Sequence, residues 1–380
     1  MQIYYISPSI LPSLSANSVH VIRQTHALAD IGHNITLFAC SSVSASKLTS
    51  AIRQQYGIDL NGVQILTVPK APGFGINLRI ALRSIRSLLS SGWPDLIISR
   101  NLYASFLIGV LARHPLVVEI HDLETGLRGR LQCSILRQPW IKIVAISEKM
   151  LEFLIEHHRV SPATTQILHD AAPSDMVPIP RGHQLALLRE LVPEAEGAWD
   201  GVGGYFGNLY PGRGVEIIEM MAASRPNMLF LVAGGQHEDV IFRRTHNALN
   251  NLVFLGHLPH ERALRLAGCV DVLLMPYQVN VSIGVAGRDT AKWMSPLKMF
   301  EYMASGVPLI SSDLPVLREV LQHEENALLV QPDDTDSWLA AVDKMIEDKE
   351  FASRLANSAY IQYRNHHTWE QRAHALVCNV

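Results

Sequence analysis

The stretch Ser295-Pro-Leu-Lys298-Met-Phe-Glu301-Tyr-Met-Ala-Ser-Gly306 has the residue types of a helix start that can hold an anion. Ser295 is a good N-cap, and Pro296 suits the first helical position, where a missing N–H costs nothing. The amides of Leu297 and Lys298 then fall among the orphan donors of the first turn, at the positive end of the helix dipole. Lys298 adds a full charge there, and Glu301 lies on the same face one turn deeper. A diphosphate at the tip, with a hydroxyl-rich sugar against Glu301, would engage all of these groups together. The competing reading is a well-capped helix with an exposed Lys298–Glu301 pair, and the stretch alone leaves both open.

Other candidates sit where apolar runs end. His121 and Asp122 follow Leu116–Ile120, a position that suits a site residue, although such pairs also cap turns. The loop Pro8–Ser18 leads into a helix beginning near Val19, which Asn17 or Ser18 can cap, and its small residues would let a ligand approach backbone amides. Gly207-Asn208-Leu-Tyr-Pro-Gly-Arg213-Gly214 precedes the helical pattern Val215–Ala222, so Arg213 and the nearby amides could clamp a phosphate. Gly234-Gly235 and Gly256-His257 are strand-end loops able to approach a nucleotide base, or ordinary tight turns. No G-x-G-x-x-G, G-x-x-x-x-G-K-[ST] or G-x-S-x-G occurs, and carboxylates do not cluster as a metal site would require.

The elements that must position these residues read as two α/β series. Ile3–Ser7, Ile35–Cys40, Val63–Val68, Leu96–Ser99, Leu116–Ile120 and Ile143–Ile146 are buried-strand patterns, separated by helical patterns such as His20–Ile31 and Asn77–Ser91. The rhythm breaks over 171–202, which contains Pro173, Pro178, Pro180 and Pro193 and one helical stretch near Gln184–Leu191. A second series follows at Gly204–Gly207, Met228–Ala233, Leu252–Leu255, Val272–Met275, Val307–Ser311 and Ala327–Val330. The expected organisation is a first domain over 1–170, a connection over 171–202, a second domain over 203–365 and a final helix over 366–380. Two doubly wound α/β domains of this kind take ligands in the cleft between them, beyond the carboxyl ends of the strands.

Composition narrows the class. The chain has 380 residues, 48% of them hydrophobic and 18% charged, with a net charge of −3. Residues 1–170 hold 15 Lys and Arg against 10 Asp and Glu, and the remainder 17 against 25, so a basic half is joined to an acidic one. The four cysteines are far apart, which argues against a zinc site or a disulfide framework and fits a reducing cytoplasm. The N-terminal residues read as a strand and not as a signal peptide, and the longest apolar stretch, Phe106 to Ala112, is too short to span a bilayer. A soluble or peripheral cytoplasmic protein is expected, with no nucleic-acid partner. Arg79, Arg83 and Arg86 share one face of a helix, which reads either as a solvated basic face or as a contact for an anionic membrane surface.

In order along the chain, the motifs resemble those of the family-4 retaining glycosyltransferases of the GT-B fold. They are His20-Val-Ile-Arg…Leu28-Ala-Asp-Ile-Gly-His33-Asn-Ile-Thr-Leu, Val118-Glu-Ile-His-Asp122, Val144-Ala-Ile-Ser147, Gly207…Arg213-Gly214, Leu231-Val-Ala-Gly-Gly235, Asn251-Leu-Val-Phe-Leu-Gly256, Asp271-Val-Leu-Leu-Met-Pro-Tyr277 and Ser295-Pro-Leu-Lys…Glu301-Tyr-Met-Ala-Ser-Gly306. The resemblance covers nearly the whole chain. It implies two Rossmann-like domains facing across a cleft and transfer of a sugar from a nucleotide-diphosphate donor to an acceptor hydroxyl. Transfer would be hexosyl-type, with retention, and without metal or other cofactor.

By the family pattern Arg213 and Lys298 hold the diphosphate, the amides after Pro296 add donors, and Glu301 binds ribose hydroxyls. His121 lies near the transferred sugar, and Ser15, Asn17 and Ser18 face the acceptor and phosphate. The chain departs from the pattern at Asn208, where many members have Arg, and at Trp293, where many have an acid that contacts the donor sugar. The implied acceptor is a saccharide or lipid-linked molecule in polysaccharide, lipopolysaccharide or glycolipid assembly. A GT-B-fold epimerase of UDP-sugars and a non-catalytic nucleotide-sugar-binding partner of another transferase remain as alternatives.

Overall fold

A computed structural model describes residues 1–70, 75–247, 249–282 and 289–378. The chain divides into two compact units, Met1–Asp170 with Trp369–Val380, and Ala171–Thr368. Each is built on one parallel sheet of a two-Rossmann-like GT-B architecture.

The sheet of the first unit comprises β1 (Gln2–Leu11), β2 (Asn34–Ser41), β3 (Val63–Pro69), β4 (Leu96–Ser99), β5 (Leu116–Ile120), β6 (Ile141–Ala145) and β7 (Thr165–Ile167). Their spatial order is β3-β2-β1-β4-β5-β6-β7. The inner strands are near-continuous apolar runs because helices cover both faces of a parallel sheet and leave no side for water. All five residues of β5 are buried, Glu119 among them.

The helix Ala16–Asp30 starts earlier than the sequence pattern suggests, and Ser15, not Asn17 or Ser18, caps it by accepting from the Ser18 amide. Ser18 is buried and bonds back to Ser13 and Ser15, so its hydroxyl serves the loop. The last helix, Trp369–Cys378, packs against Ala16–Asp30 within this unit.

The second sheet comprises β8 (Gly201–Phe206), β9 (Met228–Ala233), β10 (Leu252–Gly256), β11 (Val272–Met275), β12 (Leu309–Ser312) and β13 (Leu328–Val330), in the order β10-β9-β8-β11-β12-β13. The segment 171–202 is part of this unit and not a separate connection. Its helix Arg181–Leu191 and the following turn bury Leu188, Val192 and Ala195 in the same core as Leu229, Leu231 and Leu273. Pro180 stands at the start of that helix and Pro193 just past its end, and neither excludes the segment from the core.

Both sheets reverse direction of growth at one place. From β1 the chain adds β2 and β3 on one side, then returns to lay β4 on the other; β8 stands in the same relation to β9 and β11. The carboxyl ends of β1/β4 and β8/β11 are therefore the switch points, where diverging loops leave a crevice. Among the described residues no helix is long and apolar enough to cross a membrane.

Candidate functional site

At the β8/β11 switch point the sequence places Tyr205 and Phe206, then the loop Gly207–Gly214, opposite Pro276 and Tyr277. The helix Leu297–Ser305 supplies Lys298 and Glu301. Pro296, not Ser295, occupies the cap position, and its ring offers no capping oxygen to the first-turn amides. Ser295 and Leu297 are buried beside it.

Lys298 departs from the solvated-pair reading. It is only 9% exposed, and its Nζ makes no hydrogen bond. The ammonium stands 3.8 Å from the centroid of the Tyr205 ring and 5.1 Å from that of Tyr277, held by the negative faces of the two rings. Burial, and then the positive charge of Arg213, push its pKa well below the ordinary value for lysine, against the opposing pull of Glu301. Glu301 does not bond Lys298; its Oε1 lies 2.7 Å from Nε2 of His260. That partner was not evident from the sequence, where only its place at the start of the helix after β10 hinted at it.

Arg213 is braced in the same space. Its Nη1 donates to Tyr277 Oη at 3.0 Å and Nη2 to the Ser282 carbonyl at 3.1 Å, while Nε is buried without a hydrogen bond. Two cations thus lie close enough to perturb each other, and among the described residues neither is bonded to a carboxylate. Such an arrangement is costly when empty and is relieved by an anion with several oxygens.

The glycines around it keep the space open. A Cβ at Gly207 would fall on Lys298 Nζ, and one at Gly214, whose φ is +78°, would fall on the Pro276 carbonyl. Asn208 enters through its backbone, its carbonyl accepting from Tyr205 Oη at 2.6 Å. Gly256 accepts from the Gly234 amide at 2.7 Å, which carries the end of β10 to the loop beside Gly207. His257 is exposed on the next loop, and Trp293 is half-buried upstream of the helix.

The first unit holds the other candidates. His121 follows β5, and its Nε2 is buried without a hydrogen bond. Burial, then Arg100 and His20, hold its imidazole well below the usual range, so it is neutral at neutral pH. The His20 ring meets it edge-on at 4.8 Å. His20 in turn pairs through Nδ1 with Asp170 at 2.6 Å. Glu119, two residues before His121, accepts from Arg372 at 2.8 Å and from Tyr5 Oη. Burial alone would raise the Glu119 carboxyl; Arg372, with His20 and Arg100, overrides this and holds it well below the usual carboxylate range.

His20, Glu119 and His121 offer ligand atoms within 4.8 Å of one another. Arg372 and Tyr5 already occupy the carboxylate oxygens and Asp170 occupies one His20 nitrogen, while His20 Nε2 and His121 Nε2 make no hydrogen bond. Ser15, the cap after β1, and Asn17, in the first turn of the helix Ala16–Asp30, are exposed.

Two parallel α/β units, each with polar groups at its switch point, define a protein of the nucleotide-sugar-transferase architecture. The family model for Glycosyl transferases group 1 matches residues 204–362, and that for Glycosyltransferase Family 4 matches residues 18–172. The chain belongs to the group 1, family 4 glycosyltransferases.

It is 24% identical to the phosphatidyl-myo-inositol mannosyltransferase of Mycolicibacterium smegmatis over 342 residues, which are 87% of this chain and 80% of that protein. A 27% identity to an uncharacterized glycosyltransferase of Methanocaldococcus jannaschii covers 34% of this chain and only 30% of that relative's length. Among solved structures, sucrose-phosphate synthase of Thermosynechococcus elongatus aligns with a TM-score of 0.75 at 16% identity, over 99% of this chain and 97% of that one. HepE of Anabaena, in complex with UDP-glucose, aligns at 0.73 and 16% over the whole of both chains. At such identities these structures speak for the fold.

Proposed function

We propose that the protein transfers a sugar from a nucleotide-diphosphate sugar to an acceptor hydroxyl, with retention and with its own cations in place of a metal ion. The observation that carries this is the pair at the β8/β11 switch point, buried Lys298 and half-buried Arg213, neither bonded to a carboxylate among the described residues. Departure of a nucleotide diphosphate builds negative charge, and preorganised cations and helix amides stabilise that charge. A divalent ion placed beside the same two cations would meet repulsion. Glu301, oriented by His260, is suited to accept from ribose hydroxyls. His121, neutral and with a shielded Nε2, is suited to hydrogen-bond a sugar hydroxyl.

The chemistry we favour is front-face attack. The acceptor oxygen bonds to the anomeric carbon as the carbon–oxygen bond to the diphosphate breaks, and the leaving phosphate oxygen takes the acceptor proton. An epimerase would need an acid–base pair at the sugar; neither Glu301, tied to His260, nor Glu119, tied to Arg372, is free to serve.

A saccharide or lipid-linked acceptor in polysaccharide or glycolipid assembly fits this reading, as does work at the cytoplasmic face of a membrane. The helix Ile76–Ser91 exposes Leu78, Leu82 and Leu89 beside Arg79, Arg83 and Arg86, an apolar strip bordered by cations. Sedimentation with anionic vesicles should show salt-sensitive binding; its absence removes the membrane.

The donor is tested by thermal shift with UDP-, GDP-, ADP- and CMP-sugars, since a ligand that binds only the native state raises the apparent Tm. One nucleotide class should stabilise the protein and support product formation with an acceptor panel. Stabilisation by none would overturn the reading, and stabilisation without turnover or donor hydrolysis would leave a binding protein in its place.

A further inference from the structure

The first unit has a switch point of its own, and it is furnished. Arg100 follows β4 directly, and its backbone amide donates to the Ile6 carbonyl at 2.9 Å, which sets the residue in the crevice between β1 and β4. Its Nη2 donates to Asn17 Oδ1 at 2.6 Å, and Asn17 Nδ2 donates to Ser9 Oγ at 2.8 Å. Ser7 Oγ completes the line by donating to Ser9 Oγ at 2.8 Å. This leaves Nη1 of Arg100 buried with no hydrogen bond, and among the described residues no carboxylate pairs with Arg100. The neighbouring acids are engaged elsewhere, Glu119 by Arg372 and Tyr5, and Asp170 by His20. His121, at the end of the adjacent strand β5, presents a second shielded and unbonded nitrogen.

A guanidinium fixed on one edge and unsatisfied on another is a preorganised fork for an oxyanion. Asn17 spends its acceptor on Arg100 and its donor on Ser9, so both hold the fork in place. The donor diphosphate does not require Arg100, because Lys298 and Arg213 of the second unit serve it.

We propose that the β1/β4 crevice is an anion subsite in which Arg100, braced by Asn17 and Ser9 and flanked by His121, binds a phosphate or carboxylate carried by the acceptor. This rests on the transferase reading and deepens it: the acceptor is an anionic saccharide or lipid-linked sugar. A neutral acceptor would leave the guanidinium shielded and unpaired, and is rejected for that reason.

The full chain is titrated with glucose 6-phosphate, glucuronate and glucose, with hydrogen exchange followed in peptides spanning residues 7–18 and 97–105. Protection by at least one of the two anionic sugars and not by glucose is expected, and which of them protects assigns phosphate or carboxylate. Arg100→Gln should weaken that binding at least tenfold. Asn17→Ala, at an exposed position, should weaken it severalfold without disturbing the fold. Equal protection by glucose, or undiminished anion binding in both variants, overturns the proposal. Nucleotide-sugar protection of residues 203–216 and 295–302 is read in the same samples. If it is present in wild type and in Arg100→Gln, the donor reading stands whatever the anion result; if it is absent from both, the donor reading fails on its own account.

Discussion

Replacing Lys298 with Met tests the placement of the diphosphate, because it keeps the volume and removes the charge. In the unliganded protein that charge is buried, unbonded and repelled by Arg213, and is attracted by the Tyr205 and Tyr277 faces and by Glu301. The lost cation–π attraction is worth about 0.5–2 kcal/mol. Exchanging buried charge for packed hydrocarbon runs from neutral to about 1–4 kcal/mol stabilising. The variant should therefore be no less stable than the parent.

The pH dependence has a definite sign. Lys298 titrates in the folded state well below its ordinary 10.5, so between those two values the unfolded chain binds more protons. Stability should rise with pH across that window, and the slope should vanish in Lys298→Met. Turnover should move the other way, falling by roughly 10²–10³, the range for losing one transition-state donor. Nucleotide-diphosphate binding supplies the missing counter-charge and raises the lysine pKa, so the rise of stability with pH should flatten when the nucleotide is bound. A variant with unchanged turnover, or a wild-type slope that the nucleotide leaves unaltered, would refute the assignment.

Three further outcomes follow from the same geometry. Gly207→Ala puts a methyl on the Lys298 ammonium without demanding an unusual backbone angle, so nucleotide affinity should fall at least about tenfold, some 1.4 kcal/mol, while the unliganded Tm barely moves. Glu301→Ala removes a carboxylate that His260 orients, and should weaken donor binding by about 1.5–3 kcal/mol with a smaller change in kcat, as equilibrium titration and steady-state kinetics would show. Arg372→Met strands buried Glu119 and should cost about 3–5 kcal/mol in urea unfolding. Because the Glu119 pKa is depressed in the fold, the stability it contributes is full above its ordinary 4.5 and is lost as the pH falls through the folded value. In Arg372→Met that acid-side loss should shrink.

Much of the local structure was legible in the chain. Apolar runs such as Met228–Ala233 and Val272–Met275 carry their own strand signature, and the residue types of the loops and helix starts, His121, Arg213, Lys298 and Glu301, mark where polar chemistry can gather. Those signals are local, since periodicity, capping and turn preference act within a few residues. Even there the caps moved by one to three residues, to Ser15, which takes the Ser18 amide, and to Pro296, whose ring takes none.

Partners were not legible, because they are set by strand order. Sequence spacing alone would pair Lys298 with Glu301 along one helix face. The tertiary structure instead turns Lys298 onto Tyr205 and Tyr277 and gives Glu301 to His260, since a helix seated over the β8/β11 reversal must bury that turn. Arg100 and Asn17 are 83 residues apart, and Glu119 and Arg372 are 253 apart. The first pair meets at the reversal between β1 and β4, and the second because the last helix packs back on the first unit. The sequence by itself determined two α/β units and the kinds of groups at their strand ends. Only the tertiary structure decided which cations would be left without a counter-charge, because that depends on which side chains the two sheet reversals bring together.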